Sequence, residues 1–278
     1  MKPIAYRDRR SKEIKIEEVY GKFFIDLLYG KRWLGWFRPL MARVPFFSYF
    51  YGYLQKKSFS QRKIAPFIQK FQMNTEEFER ATFASFNDFF IRKLKKERRP
   101  LSSSPALLPA DGRYRVFEEA GQFVIKGKAF DLETLLGEKG IEGAIVIGRL
   151  APVDYHRFHF PVDGVAHEAR LINGPLYSVN PAAVFHNIAV LTENKRVVTQ
   201  IDTEAFGAVY MVEVGATYVG SIVQTYMPGP IKRGDEKGYF QFGGSCIILV
   251  FEKGSITFDS DLFYGLEVYA EMGTSLGK

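Results

Sequence analysis

The sequence of 278 residues has one cysteine, Cys246, so no intramolecular disulfide can form and no thiolate set exists for a structural zinc. No stretch approaches the roughly 18–20 uninterrupted apolar residues that span a bilayer. The opening Met-Lys-Pro-Ile-Ala-Tyr-Arg-Asp-Arg-Arg also lacks the apolar core of a secretory signal. Internal repeats and low-complexity tracts are absent, and no RNA-binding signature occurs. The expectation is a protein without a transmembrane helix or signal peptide, in a compartment compatible with free thiols.

What is abundant is aromatic and, locally, basic. There are 26 Phe and 15 Tyr in an otherwise ordinary composition, 46% hydrophobic and 25% charged. Residues 1–100 hold 23 Lys and Arg against 10 Asp and Glu, a net +13, whereas the remainder nets −6. That asymmetry points the first third at an anionic partner, a lipid surface or a nucleic acid.

Ile16, Val19, Tyr20, Phe23, Phe24, Leu27 and Leu28 follow the spacing of an amphipathic helix ending at Gly30. Two aromatic segments flanked by cations follow, Trp33–Arg43 and Pro45–Lys57. Amphipathic rings beside Lys and Arg suit the headgroup level of a bilayer, and they equally suit a helical subdomain that packs its rings inward. Stacking on single-stranded nucleic acid fits less well, because the rings recur at helical spacing. Asn74 with Glu77 reads as a capping box opening a helix through Phe78, Phe83, Phe86, Phe90 and Leu94. Leu101-Ser102-Ser103-Ser104-Pro105 marks a boundary, giving a basic helical region over 1–100 and a β-rich domain over 101–278. In the latter the period alternates: strands are expected at 114–117, 123–130, 144–150, 156–160, 165–172, 188–192, 196–203, 208–214, 239–251 and 256–258. The fold class is therefore α+β, a helical region, open to membrane association, followed by a mostly antiparallel β-sandwich or barrel domain.

The stretch Phe240-Gln241-Phe242-Gly243-Gly244-Ser245-Cys246-Ile247-Ile248-Leu249-Val250 contradicts itself, since two glycines and a hydroxyl interrupt a buried strand. Taken alone this is a bulge; chemically, it sets a nucleophile beside an unhindered carbonyl. Asp111 sits in an Asp-Gly turn at a strand entrance, and His156 and His159 share the segment Asp154–Phe160. Three positions apart, the two imidazoles face opposite sides of a regular strand, which argues against a shared metal, and none is expected.

Together these elements resemble the phosphatidylserine decarboxylases. The matching stretches are Phe89–Lys95 with Arg99-Pro100, Pro109-Ala110-Asp111-Gly112, Tyr155-His156-Arg157-Phe158-His159, Asn194–Val197, Lys232–Glu236 with Gly238-Tyr239-Phe240, Gly243-Gly244-Ser245, and the ending from Met272-Gly273 to Gly277. The departure is Cys246, where Thr or Ser is expected. The resemblance implies a lyase made as a zymogen that cuts itself between Gly244 and Ser245 into chains 1–244 and 245–278, leaving a covalent pyruvoyl cofactor derived from Ser245. It further implies His159 as the base, Asp111 as the group that fixes its tautomer, and His156 at the edge of the substrate pocket. A Schiff base to the substrate amine would carry the release of CO2 and yield phosphatidylethanolamine. The implied partners are phosphatidylserine in an anionic membrane surface and the protein's own two cleavage products as a heterodimer, with room for a higher oligomer and no nucleic acid. The implied location is peripheral, on the cytoplasmic face of a bacterial cell membrane. Two other readings stay open: a self-processing hydrolase with Ser245 as a free N-terminal nucleophile, and a basic lipid-binding module that never cuts itself.

Overall fold

The computed structural model describes residues 4–17, 52–125, 128–177, 179, 189–216, 222–243 and 245–278. Among these described residues eighteen strands follow in chain order. The first two are β1 (Ala5–Asp8) and β2 (Ile14–Ile16), and β3 (Ala106–Leu107) and β4 (Gly112–Phe117) come next. After the two-residue β5 (Val124–Ile125) and β6 (Lys128–Ala129) come β7 (Gly143–Leu150), β8 (Arg157–His159), β9 (Gly164–Ala166) and β10 (Arg170–Ile172). The long hairpin β11 (Arg196–Thr203) and β12 (Gly207–Gly215) precedes β13 (Ile222–Gln224), β14 (Gly229–Ile231) and β15 (Glu236–Phe240). The chain closes with β16 (Ser245–Glu252), β17 (Glu267–Ala270) and β18 (Ser275–Gly277).

An 11-stranded sheet runs β14-β9-β11-β12-β16-β7-β4-β17-β1-β2, with β10 beside β11. Its pairings are antiparallel except for β1 on β17. This sheet is open, with β14 and β2 at its two ends, so it does not close into the barrel that was one of the expected forms. A smaller sheet, β13-β15-β8, packs on one of its faces.

β16 is central, between β12 and β7. Its sequence is a continuous apolar run because both faces are covered. Ile247, Leu249 and Phe251 enter a core with Val146, Met211, Phe158 and Phe240; Cys246, Ile248 and Val250 enter a second with Ile147, Val212, Leu135 and Leu191. Ser245, at the head of the strand, lies opposite Gly215 on β12 and Leu150 on β7.

Several local expectations change. The helix expected from the Asn74 cap is a single 3-10 turn, Thr75–Glu77, in which the Asn74 side chain accepts from Glu76 N. The helix proper is Phe86–Phe90, capped by Ser85 Oγ accepting from Asp88 N, and Phe78 instead bridges Leu94 as extended chain. Phe67, Phe78, Phe83, Phe86, Phe89 and Phe90 converge on one cluster that also holds Phe242, a packing that a single straight helix with one apolar stripe cannot achieve. Where a strand was expected at 188–192, residues 189–193 form a helix whose Val190, Leu191 and Thr192 are buried. The expected strand 239–251 is two strands, interrupted at Gln241–Gly243, where Gly243 adopts φ 145°. The 123–130 strand is reduced to the pair β5 and β6, and 256–258 to a bridge from Phe258 to Gly277. Ile16 ends β2, and the remainder of the expected amphipathic helix, with the aromatic segments through Phe50, lies outside the described residues.

Candidate active site

The glycine step is stitched to two elements before it enters β16. Phe240 N donates to His156 O at 3.0 Å, and Phe242 N donates to the Asn87 side chain on helix Phe86–Phe90, also at 3.0 Å. Gly243 then takes the positive φ that suits glycine, and the ladder with β12 and β7 begins at Ser245. Gly244, the other half of the expected scissile pair, lies outside the described residues. Ser245 is fully buried, and its Oγ has no hydrogen-bond partner among the described residues. A buried hydroxyl without a partner costs about 1–3 kcal/mol, so its retention calls for a reason other than stability. Cys246 faces the opposite core, where burial pushes its thiol up to about 12 and keeps it protonated.

His159 ends β8, anchored through its own N–H to Pro109 O at 2.8 Å. Its Nδ1 lies 2.9 Å from Gly234 O. A carbonyl only accepts, so Nδ1 carries the proton and Nε2 presents the lone pair. Tyr155 OH is 3.3 Å from that Nε2. Burial lowers the His159 pKa below its usual value, against opposing help from the Gly234 carbonyl, Glu236 and Asp111, so the ring is neutral at pH 7.

Asp111 lies just before β4, 2% exposed. Its carboxylate accepts from Arg99 Nε at 2.9 Å and Nη2 at 2.6 Å, and from Met272 N at 2.9 Å. Burial of Arg99 disfavours its charge, but the bonds to Asp111 outweigh that and raise its pKa. Among the described residues the Asp111 carboxylate thus meets Arg99 and Met272 N, and the His159 Nδ1 proton goes to Gly234 O; Asp111 bears on the ring electrostatically, favouring its protonation. Sequence reasoning missed Gly234, Tyr155 and Arg99 as parts of this arrangement. All three sit inside the stretches already singled out, but which atom meets which depends on tertiary register.

His156 precedes β8, fully buried, with Nδ1 3.0 Å from Asp154 O and its ring centroid 3.8 Å from that of Phe90. Its Nε2 has no hydrogen-bond partner among the described residues. Burial, then the nearby Arg92, lower its pKa to about 3. The side chains of His156, His159 and Ser245 are two neutral imidazoles and one hydroxyl, groups suited to moving protons and to nucleophilic attack, and neither ring hydrogen-bonds the hydroxyl in this structure. No group of His, Cys, Asp and Glu among the described residues could hold a metal ion.

A family model described as phosphatidylserine decarboxylase matches residues 86–278. Among curated relatives, proteins named phosphatidylserine decarboxylase proenzyme from Chlamydia felis and Chlamydia caviae are each 44% identical over 295 residues, covering 100% of this chain and 99% of the relative. One from Chlamydia pneumoniae is 43% identical, covering 100% of this chain and 98% of the relative.

Proposed function

The chain belongs to the phosphatidylserine decarboxylase family, and from that premise we propose that it is a self-processing carboxy-lyase that converts phosphatidylserine to phosphatidylethanolamine and CO2 through a group made from Ser245. The single observation that carries the proposal is the buried, unpartnered Ser245 Oγ directly after a glycine step. Such a hydroxyl fits the pyruvoyl group that the family implies, since that group arises from the serine itself.

Maturation begins when Ser245 Oγ attacks the carbonyl carbon of Gly244. Its proton passes to His159 Nε2, the nitrogen left unprotonated by the Gly234 contact. The amide is exchanged for an ester, with the Ser245 nitrogen becoming a free amine. Removal of the Ser245 Cα proton then expels the Gly244 carboxylate and leaves a dehydroalanine end. Tautomerisation and attack by water release ammonia and leave a ketone. Asp111, locked by Arg99, supplies a negative charge that favours the protonated state of His159 while it holds the transferred proton.

When present, the pyruvoyl group supplies an electrophilic carbonyl that takes up the substrate amine and accepts the electrons freed as CO2 leaves. The chain's own contribution is protons held at defined, buried atoms: His159 would be the proton donor after CO2 departs, and His156 would line the edge of the substrate pocket. The basic region 1–100 would hold the enzyme at an anionic membrane surface on its cytoplasmic face, with the two products 1–244 and 245–278 remaining together as a heterodimer.

Edman sequencing of the short chain tests the reading. A blocked end is expected, because a ketone has no amine to react. A readable sequence beginning Ser-Cys-Ile-Ile would instead establish a hydrolase with a free N-terminal serine.

A further inference from the structure

Arg92 is 3% exposed and makes no ion pair among the described residues. Its Nη2 donates to the carbonyls of Val153 at 2.7 Å and Asp154 at 2.9 Å, and its Nη1 reaches Phe89 O at 3.5 Å. The guanidinium lies between the rings of Phe78 and Phe89, 5.2 and 5.1 Å from their centroids. A buried cation with no direct ion pair, only carbonyls, rings and the more distant charges of Asp111 and Asp154, is costly to keep. The carbonyl of Asp154 also receives the proton of His156 Nδ1, at 3.0 Å. One oxygen thus joins Arg92 to the imidazole, and the adjacent Val153 carbonyl is held by the same Nη2.

We propose that Arg92 is the positioning residue of His156: by pinning two successive carbonyls it aims the Asp154 oxygen at Nδ1, fixes one tautomer, and presents the unpartnered Nε2 lone pair to the pocket. This rests on the reading of His156 as a pocket residue. The groups that bear on the ring agree with it. Arg92 and Arg113 both disfavour its protonation, and the Asp154 carbonyl favours it. The Asp154 carboxylate is turned away, to Arg113 and Ala151 N. Phe90, on the helix that leads into Arg92, closes one face of the ring.

The test uses the full-length, self-cleaved protein with labelled histidine, and long-range proton–nitrogen spectra assigned with His156→Asn. In the wild type, His156 is expected as a single Nδ1–H tautomer that does not titrate between about pH 5 and 8. Arg92→Lys keeps a cation between the rings but loses the rigid planar fork that aims Nη2 at both carbonyls. A second tautomer should appear, and kcat per cleaved molecule should fall by about tenfold to a hundredfold with KM unchanged. Arg92→Gln also removes the charge, and His156 should titrate closer to the ordinary imidazole value. If His156 keeps one tautomer and full kcat in Arg92→Lys, the proposal is overturned, whether or not Arg92→Gln folds. If the spectra change as expected but His156→Asn releases CO2 at the wild-type rate, positioning stands and the pocket role of His156 falls.

Discussion

Tyr155 gives the most direct access to how His159 is presented, because its hydroxyl touches the one ring nitrogen that is free to act. Tyr155→Phe should slow self-cleavage by about threefold to tenfold, the worth of one ordinary hydrogen bond, in a gel time course. An unchanged rate would remove Tyr155 from the site. Acid should act through His159 in a definite direction. Its pKa in the fold lies below the usual 6.5, so the neutral ring persists as pH falls through 6.5, and cleavage should decline only in more acidic buffer. A decline centred above pH 6.5 would contradict this. Stability follows the same sign through His156. The unfolded chain takes up a proton near 6.5 that the fold refuses until about 3, so this residue lowers stability as pH falls across that window. Asp154, raised by burial to about 6 from 3.8, acts with the opposite sign between those values. At this scale Ser245, His159 and Asp111 stood out in the sequence by type and setting, and all three are buried in the structure. The sequence could not show that Gly234 O rather than Asp111 holds the ring, because a backbone carbonyl leaves no mark in residue identity.

Elements were legible where both neighbours of a strand are strands and its pattern is unbroken, as in β7, β11 and β12. They were misread where tertiary packing overrides periodicity: the phenylalanines between Phe78 and Phe90 fit a helical spacing, yet they pack inward from a turn, an extended piece and a short helix. The loop before β4 gives the clearest prediction at this level. Asp111 ties Arg99, Met272 N and the entrance of β4 together while almost wholly buried. Asp111→Ala leaves the Arg99 guanidinium without its main partner and should cost about 3–5 kcal/mol, read as a lowered urea midpoint. A variant as stable as the wild type would show that this pair adds little to the fold.

The molecule as a whole is arranged so that its two expected products interlock. The segment 245–278 contributes the central strand β16 and also β17, on which the N-terminal β1 pairs in parallel. Arg9 reaches Asp259 and Asp261 at 2.7 Å and the Ser275 carbonyl, all within that segment. Arg149 is shared between Glu267 and Glu17, at 2.6 and 2.5 Å. Arg9→Ala should therefore shorten the time for which the short chain stays bound in moderate urea, measured by size exclusion; equal retention would show β16 alone suffices. No helix among the described residues is long and apolar enough to cross a membrane. The charge bias of residues 1–100 is the feature that supports the proposed peripheral attachment, and deletion of residues 1–32 should weaken binding to anionic vesicles. Vesicle binding unaffected by that deletion would contradict the attachment. The charge bias was visible in the sequence, whereas the joining of residues 5–16 to the same sheet as β17 was not, because parallel pairing across such a separation has no local signature.

The central claim is that one serine hydroxyl opens the backbone and becomes the reactive group, and intact mass of the purified protein tests it most directly. The account predicts two chains, 1–244 and 245–278, the second lighter than its unmodified sequence by the mass of ammonia, and a single unbroken chain with no CO2 release for Ser245→Ala. An unbroken chain in a preparation that turns over phosphatidylserine, or full CO2 release by Ser245→Ala, would contradict it.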